Sequence, residues 1–295
     1  IKNILDNLGK KTGLIGTVAN MIGDKTLPSG ATTPEPYELC SLLSQMVSAG
    51  VEHCVMEVSS HSIVQKRVCG ITFDTAVFTN LTQDHLDYHK TVTAYFESKK
   101  RLKNLSDIFI VNGDDRYALS LVSDGVKTFS VLGFADYAAK DIVLQENGSE
   151  FLIEHKDKKV PVRTGLIGMF NVYNTLAAVA AAAELGVSLE DIARTFDAPI
   201  VIPGRMERVF IKAPFSVYVD YAHTPQALTS ALVALRKITR GRLIVVFGKV
   251  VPLERVKTTL IGKHNLYNIS VALTAAGAAG VPLEEAISAV EDFKG

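Results

Sequence analysis

The sequence has no surplus charge of either sign: 31 basic and 31 acidic side chains cancel over 295 residues, and no five like charges follow one another. A chain that holds a polyanion by counterion release needs a basic face, so nucleic-acid binding is not expected. A charged tail is absent too. Long apolar runs are also missing. The longest, around 177–183, is alanine-rich and well short of the about 20 residues a membrane span requires. Cysteine is scarce: Cys40, Cys54 and Cys69 are odd in number and lack C-x-x-C spacing. Neither a disulfide framework nor a thiolate metal site is expected, and apolar neighbours suggest that all three pack in the core of a protein from a reducing compartment. The first residues carry no leader pattern, so the expected location is cytoplasmic. With 21 glycines and 10 prolines, nothing is low-complexity.

What is present is a chain 47% hydrophobic and 21% charged, long enough for about two domains with a large core. It begins with Ile1 rather than methionine, in a helical pattern where Ile1, Ile4, Leu5 and Leu8 share a face and Gly9 stops the helix. A preceding segment is expected. Strand-like runs at 11–18, 53–58, 75–80, 107–112 and 126–132 alternate with helical patterns, the rhythm of a parallel α/β sheet covered by helices. The clearest helix, 36–49, opens on Pro36 and aligns Leu39, Leu42, Leu43 and Met46. Residues 142–162 alternate polar and apolar around Asn147-Gly148 and predict a β-hairpin. Helices follow at 171–185 and 188–196, then a linker at 199–204. Beyond it lie strands near 208–211 and 216–220, a helix at 224–237 and a strand at 242–247.

The tail repeats an earlier segment. Leu-Ile-Gly-x-x-Asn-x-Tyr-Asn at 166–174 recurs at 260–268, an offset of 94 that continues ungapped through Gly186-Val187 and Gly280-Val281. Residues 249–295 therefore read as a partial second copy of the segment around 158–197.

In an open parallel sheet, ligands bind beyond the carboxyl ends of the strands. Three polar clusters fall at such ends: Glu57 to His61, Asn80 to His89, and Asn112 to Asp115. Carboxylate and imidazole from two strand ends could converge on a divalent cation. The other reading of Glu57 is a solvated strand-end acid; His85 reads equally as a hydrogen-bonded loop residue, and His61 and His89 read as structural.

Nine ordered motifs resemble one family. They are Thr32-Thr33-Pro34, Glu57-Val-Ser-Ser-His61, Val64-Gln65-Lys66-Arg67, Asn80-Leu-Thr-Gln-Asp-His-Leu-Asp-Tyr-His89, Tyr95-x-x-x-Lys99, Asn112-x-Asp114-Asp115, Gly168-x-Phe-Asn171-Val-Tyr-Asn174, Gly204-Arg205-Met-Glu207 and Asp220-Tyr-Ala-His223-Thr-Pro225. Together they resemble the Mur ligases, most closely the MurE type. The resemblance implies a P-loop-type central ATPase domain with a mostly parallel sheet over 1–202 and the start of a Rossmann-like C-terminal domain over 203–248. It implies a cytoplasmic, ATP-dependent ligase of peptidoglycan precursor synthesis. Such an enzyme joins UDP-N-acetylmuramoyl-L-alanyl-D-glutamate (UDP-MurNAc-dipeptide) to a diamino acid through an acyl phosphate. Val64-Gln-Lys-Arg-Val68 looks more like members that add meso-diaminopimelate than L-lysine.

By the same resemblance, Glu57, His85 and Lys99 are catalytic and hold Mg²⁺, Lys99 as a carbamate that turns a cation into an anionic oxygen ligand. A carboxylate suits this hard cation better than imidazole does. Without the family match, Lys99 is an ordinary helix-surface lysine, and Lys100, about 100° around the helix, is its natural control. Thr32, Thr33, Ser59, Gln65 and Arg67 match positions that bind the UDP-sugar peptide; a guanidinium can pair an anion in bidentate fashion. Members often have asparagine before the threonine pair, where this chain has Ala31. Asn171 and Asn174 match adenine-side positions, helix capping being the other reading of Asn171. Arg205, Asp220 and His223 match residues that approach ATP from the next domain.

The family's glycine-rich phosphate loop, G-T-x-G-K-T-T, lies upstream of a helix like that at 1–9, and its sequence does not continue beyond Gly248 as this one does. The expectation is a subset of a longer protein, either ordered fragments numbered continuously or two segments in tandem. On its own it is expected to show no turnover, and an intact polypeptide of 31.9 kDa would contradict the fragment reading. Two other readings compete. One is a different acid–amino-acid ligase of this architecture, such as folylpolyglutamate synthase. The other is a non-catalytic scaffold that keeps the fold and loses the phosphate loop.

Overall fold

In the computed structural model, which describes residues 1–210, 214–246, 269, 272–273, 276–277 and 280–291, helix α1 (Lys2–Asn7) opens the chain and Gly9 follows it at φ 78°. Strand β1 (Thr12–Ile15) pairs antiparallel with β2 (Asn20–Ile22), which turns through Gly23-Asp24 into β3 (Lys25–Leu27). Helix α2 (Pro36–Ser48) starts on its proline, buries Leu39, Leu42 and Met46, and returns the chain to β4 (His53–Met56), parallel to β1. Gly13 lies directly under α2: a Cβ there would stand 2.5 Å from Met46 Sδ. These strands form a sheet ordered β3-β2-β1-β4.

After α3 (Ser60–Val64) a second sheet begins with β5 (Phe73–Phe78). Helices α4 (Leu86–His89) and α5 (Val92–Lys100) lead to β6 (Ser106–Asn112), and α6 (Arg116–Leu119) to β7 (Lys127–Ser130). Strands β8 (Tyr137–Gln145), β9 (Gly148–His155) and β10 (Lys158–Thr164) complete the order β10-β9-β8-β7-β6-β5. Strands β5 to β8 run parallel, while β9 and β10 are antiparallel, so the hairpin expected at 142–162 is part of a three-stranded meander. Strand β6 is covered on both faces, as a parallel strand should be. Its Ile110 packs with α7 (Met169–Glu184), while Phe109 and Val111 pack with Tyr95, Ala118 and Leu121. Helix α8 (Leu189–Arg194) is capped by Ser188 Oγ, which accepts from Asp191 N.

Beyond the expected linker, β11 (Glu207–Val209) and β12 (Val217–Val219) form a hairpin, and α9 (Pro225–Ile238) follows. Ile167, Met206, Ala231 and Ala234 share a small core, which ties this segment to the start of α7. Residues Ile1–Ile238 make one compact unit and Thr239–Gly295 another. In the second, residues 242–246 form no strand, because no strand pairs with them among the described residues, and 247–268 lie outside those residues, the repeat's Leu260 to Asn268 included. Its described helix is α10 (Leu283–Glu291). The described part of the tail has the local geometry of the earlier segment. Gly280 (φ 93°) corresponds to Gly186 (φ 88°), and Val281 N donates to Ala276 O at 2.9 Å as Val187 N does to Ala182 O at 3.2 Å.

The core-packing expectation for cysteine fails, since Cys40, Cys54 and Cys69 are all exposed. For Cys40 and Cys69 the preceding apolar residue is the buried one: Leu39 and Val68 face the core and the cysteine after each turns away from it. Among the described residues no helix is long and apolar enough to cross a membrane.

Candidate active site

Glu57 leaves the end of β4 and remains in register with β1, its N–H donating to Ile15 O at 2.9 Å. Across from it, two residues past β1, Thr17 donates to Glu57 Oε2 through both Oγ1 (2.6 Å) and N (3.1 Å). Thr17 Oγ1 also lies 2.9 Å from Thr32 Oγ1. Thr33, buried beside it, donates from Oγ1 to Glu57 O at 2.7 Å and accepts from Ser59 N at 3.0 Å. Arg67 Nη1 donates to Thr33 O at 2.8 Å and Nε to Gln65 Oε1 at 2.8 Å, while Nη2 pairs with Glu35 Oε1 at 2.9 Å. One hydrogen-bonded corner thus gathers Thr32, Thr33, Glu57, Ser59, Gln65 and Arg67. Ser59 has a structural duty there as well, its Oγ accepting from Ser62 N at 3.1 Å to cap α3.

Helix α3 carries the corner to a second group. His61, in its first turns, contacts the rings of His85 (4.9 Å between centroids), Tyr88 (4.2 Å) and His89 (5.5 Å). His85 holds a left-handed backbone (φ 53°) and stands edge-on to Tyr95 at 5.9 Å. Tyr95 also supports Lys99, whose Nζ lies 4.9 Å from the ring centroid, one turn along α5. Lys99 is half-buried; Lys100 is exposed and pairs with Glu97 at 3.3 Å. His89 is buried with Nε2 2.9 Å from Ser60 Oγ, a bond that fixes α4 on α3. Burial, and then its neighbour His85, push the His61 imidazole below the ordinary histidine range. Burial, and then His61, do the same to His89. Among the described residues no hydrogen bond, ion pair or ring contact joins Glu57 to His85 or Lys99. Among the described residues no three histidine, cysteine or acidic side chains are grouped to hold a metal ion.

The third strand-end cluster is spent on architecture. Asn112 Nδ2 donates to Thr79 O at 2.9 Å, and Asp115 caps α6 by accepting from Tyr117 N and Ala118 N, both at 2.9 Å. Asp114 accepts from Ser130 Oγ (2.6 Å), Val131 N (2.7 Å), Leu132 N (3.1 Å) and Tyr173 OH (2.9 Å), stitching β6 to β7 and α7. Burial alone would raise its carboxyl, but those donors hold it below the usual range.

Asn171 does not cap α7, which Gly168 does; its Nδ2 donates back to Ile167 O at 2.9 Å, and its Oδ1 accepts from Asn174 Nδ2 at 3.2 Å. Asn171 is buried and Asn174 exposed. Arg205, Asp220 and His223 meet around Tyr221. Arg205 lies 4.8 Å from the Tyr221 ring centroid, His223 Nδ1 is 3.0 Å from Tyr221 O, and Asp220 accepts from Met206 N and Ala222 N. A groove lined by Phe151, Leu152, Arg163 and Arg194 contains none of these residues.

Thr17 is the residue that sequence reasoning missed. The available signal was a hydroxyl directly beyond the carboxyl end of a parallel strand, where ligands bind.

Comparison with known proteins matches two segments of the chain. Residues 1–182 match the Mur ligase middle domain and residues 204–291 the Mur ligase, glutamate ligase domain. The chain belongs to the Mur ligase family. One Mur ligase relative, a UDP-N-acetylmuramoyl-L-alanyl-D-glutamate--2,6-diaminopimelate ligase from Clostridium perfringens, is 42% identical over 273 residues, covering 89% of this chain and 56% of its own length. The chain thus spans about half the length of the curated relatives it matches. A solved structure of a ligase of that name superposes with a TM-score of 0.71 at 28% identity, covering 92% of this chain and 56% of that one. An FPGS variant from L. casei gives 0.64 at 16% identity over 99% of this chain and 86% of that one, a likeness of fold alone.

Proposed function

We propose that this chain forms part of an ATP-dependent amide-bond-forming ligase that adds meso-diaminopimelate to UDP-MurNAc-dipeptide in the cytoplasm. The observation that carries this reading is the corner in which Thr33, Ser59, Gln65 and Arg67 form a hydrogen-bonded chain that reaches Glu57 through Thr33, and Thr32 reaches Glu57 through Thr17. Hydroxyl, amide and guanidinium groups suit the neutral and anionic oxygens of a nucleotide-sugar peptide. The naming of a 42% identical relative for 2,6-diaminopimelate supports the choice of amine. We assign residues 1–202 to the central domain and the segment from 203 to the start of the next.

The chemistry runs in two steps. The D-glutamate carboxylate attacks the γ-phosphate of ATP, ADP leaves, and an acyl phosphate forms; the amine then displaces inorganic phosphate and loses a proton. Negative charge on the transferring oxygens must be offset in both steps. Mg²⁺ would supply that charge when bound. Glu57 is the residue whose chemistry fits it: Oε2 is occupied by Thr17, which leaves Oε1 with no donor among the described residues, and His85 and Lys99, which share the Tyr95 ring, would supply the other ligands. Lys99 has no acidic partner among the described residues, a setting compatible with uptake of CO₂ as a carbamate ligand. Asn171 and Asn174 are assigned to the adenine, and Arg205, Asp220 and His223 to ATP from the neighbouring segment.

The test is a ligation assay on the intact protein with ATP, UDP-MurNAc-dipeptide and either diamino acid. Tripeptide formation with meso-diaminopimelate is expected. Formation with L-lysine alone overturns the assigned amine, and absence of ADP release with either supports the scaffold reading instead.

A further inference from the structure

Glu57 is held by a pair of residues that the sequence motifs do not include. Gly16 passes so close that a Cβ there would stand 3.3 Å from Glu57 Cδ and 3.4 Å from Oε1, so the carboxylate lies against bare backbone. The carbonyl of Gly16 is itself fixed by Ser29 Oγ at 2.7 Å. Thr17 then places two donors, N and Oγ1, on the same carboxylate oxygen. A hydroxyl has one proton, and a carboxylate only accepts. With the Thr17 proton on Glu57, the 2.9 Å contact between the two threonine hydroxyls requires Thr32 to donate. Thr32 is left with acceptor capacity only, so the group it can meet in a ligand is an N–H or O–H donor.

We propose that Thr17 is a positioning residue that couples Glu57 to Thr32, orienting the carboxylate toward a divalent cation and fixing Thr32 as an acceptor for an amide or hydroxyl donor of the substrate. The proposal rests on the assignment of Glu57 to the cation and of Thr32 to the substrate. Its effect is the kind that outer partners exert on ligating carboxylates, about tenfold to a hundredfold in metal affinity.

The test uses the intact protein and Mn²⁺ in place of Mg²⁺, with binding read by electron paramagnetic resonance and unfolding temperature measured alongside. Thr17→Val, which keeps the shape and the backbone N–H, is expected to weaken Mn²⁺ binding at least about tenfold and to weaken UDP-MurNAc-dipeptide binding as well. Thr17→Ser restores both, and neither variant shifts the unfolding temperature. If Thr17→Val does unfold the protein, Thr17→Ala carries the same expectation without a methyl to overpack. Glu57→Gln separates the two claims: loss of Mn²⁺ binding there with wild-type binding in the Thr17 variants overturns the role of Thr17. Wild-type binding in Glu57→Gln itself overturns the underlying assignment of the cation.

Discussion

Lys99 rests its ammonium on the Tyr95 ring, half out of water, while Lys100, one residue on, reaches solvent and pairs with Glu97. That contrast gives a paired prediction: Lys99→Ala abolishes ligation in the intact protein, and Lys100→Ala leaves kcat/KM within about twofold, since exposed ion pairs contribute little. Full activity in Lys99→Ala removes the carbamate assignment. Asp114 is a different kind of residue, with four donors on one carboxylate. Its folded pKa is depressed, so its contribution to stability is fully present above the unfolded range near about 3.9 and is lost as pH falls through the lower folded value. Asp114→Asn should cost about 2 kcal/mol near neutrality, with the gap to wild type closing in acid; urea unfolding at pH 7 and pH 3 measures both, and a pH-independent gap contradicts the account. Thr32, Thr33 and Arg67 could be singled out in the sequence because they stand in motifs, and the fold brings them into one corner. Thr17 could not, because a lone threonine after a strand carries no pattern until the opposing carboxylate is in place.

At the scale of elements, α7 carries the core of the second sheet. Val172, Leu176, Val179 and Ala180 are fully buried with Ile110, Phe129 and Ile153. Leu176→Ala is expected to destabilise the protein by roughly 2–5 kcal/mol, measured by chemical denaturation, and a loss under about 1 kcal/mol would show that this helix is not the keystone of the sheet. Helix α3 matters for another reason: it begins at the hydrogen-bonded corner around Glu57 and bears His61 into the imidazole cluster, so it sets the spacing between the two. Its capping by Ser59 was hidden in the sequence by the motif that made Ser59 a binding candidate. Long elements with clear periodicity, such as α2 and β6, were legible to within two residues. The β2–β3 hairpin was not, since three-residue strands leave too short an alternation and only Gly23-Asp24 marks the turn. The Asn112 to Asp115 cluster shows the converse: polar residues at a strand end satisfied entirely by backbone and neighbouring side chains.

At the scale of the whole chain, the alternation of strand and helix foretold an α/β protein with parallel strands, because the period of apolar residues is set by secondary structure and survives in any fold. How the described strands divide into sheets of four, six and two was not foretold, since pairing depends on contacts distant in sequence. The balanced charge also takes on meaning at this scale. The anionic partners proposed are small nucleotides held by a few placed groups, and a basic face is not required for them. The central claim is that a carboxylate of the dipeptide substrate is activated by phosphorylation, and isotope transfer tests it most directly. UDP-MurNAc-dipeptide carrying ¹⁸O in both oxygens of the reacting D-glutamate carboxylate would be incubated with the intact protein, ATP, Mg²⁺ and meso-diaminopimelate. The account predicts one ¹⁸O in each phosphate released together with the tripeptide product; unlabelled phosphate accompanying product would contradict it.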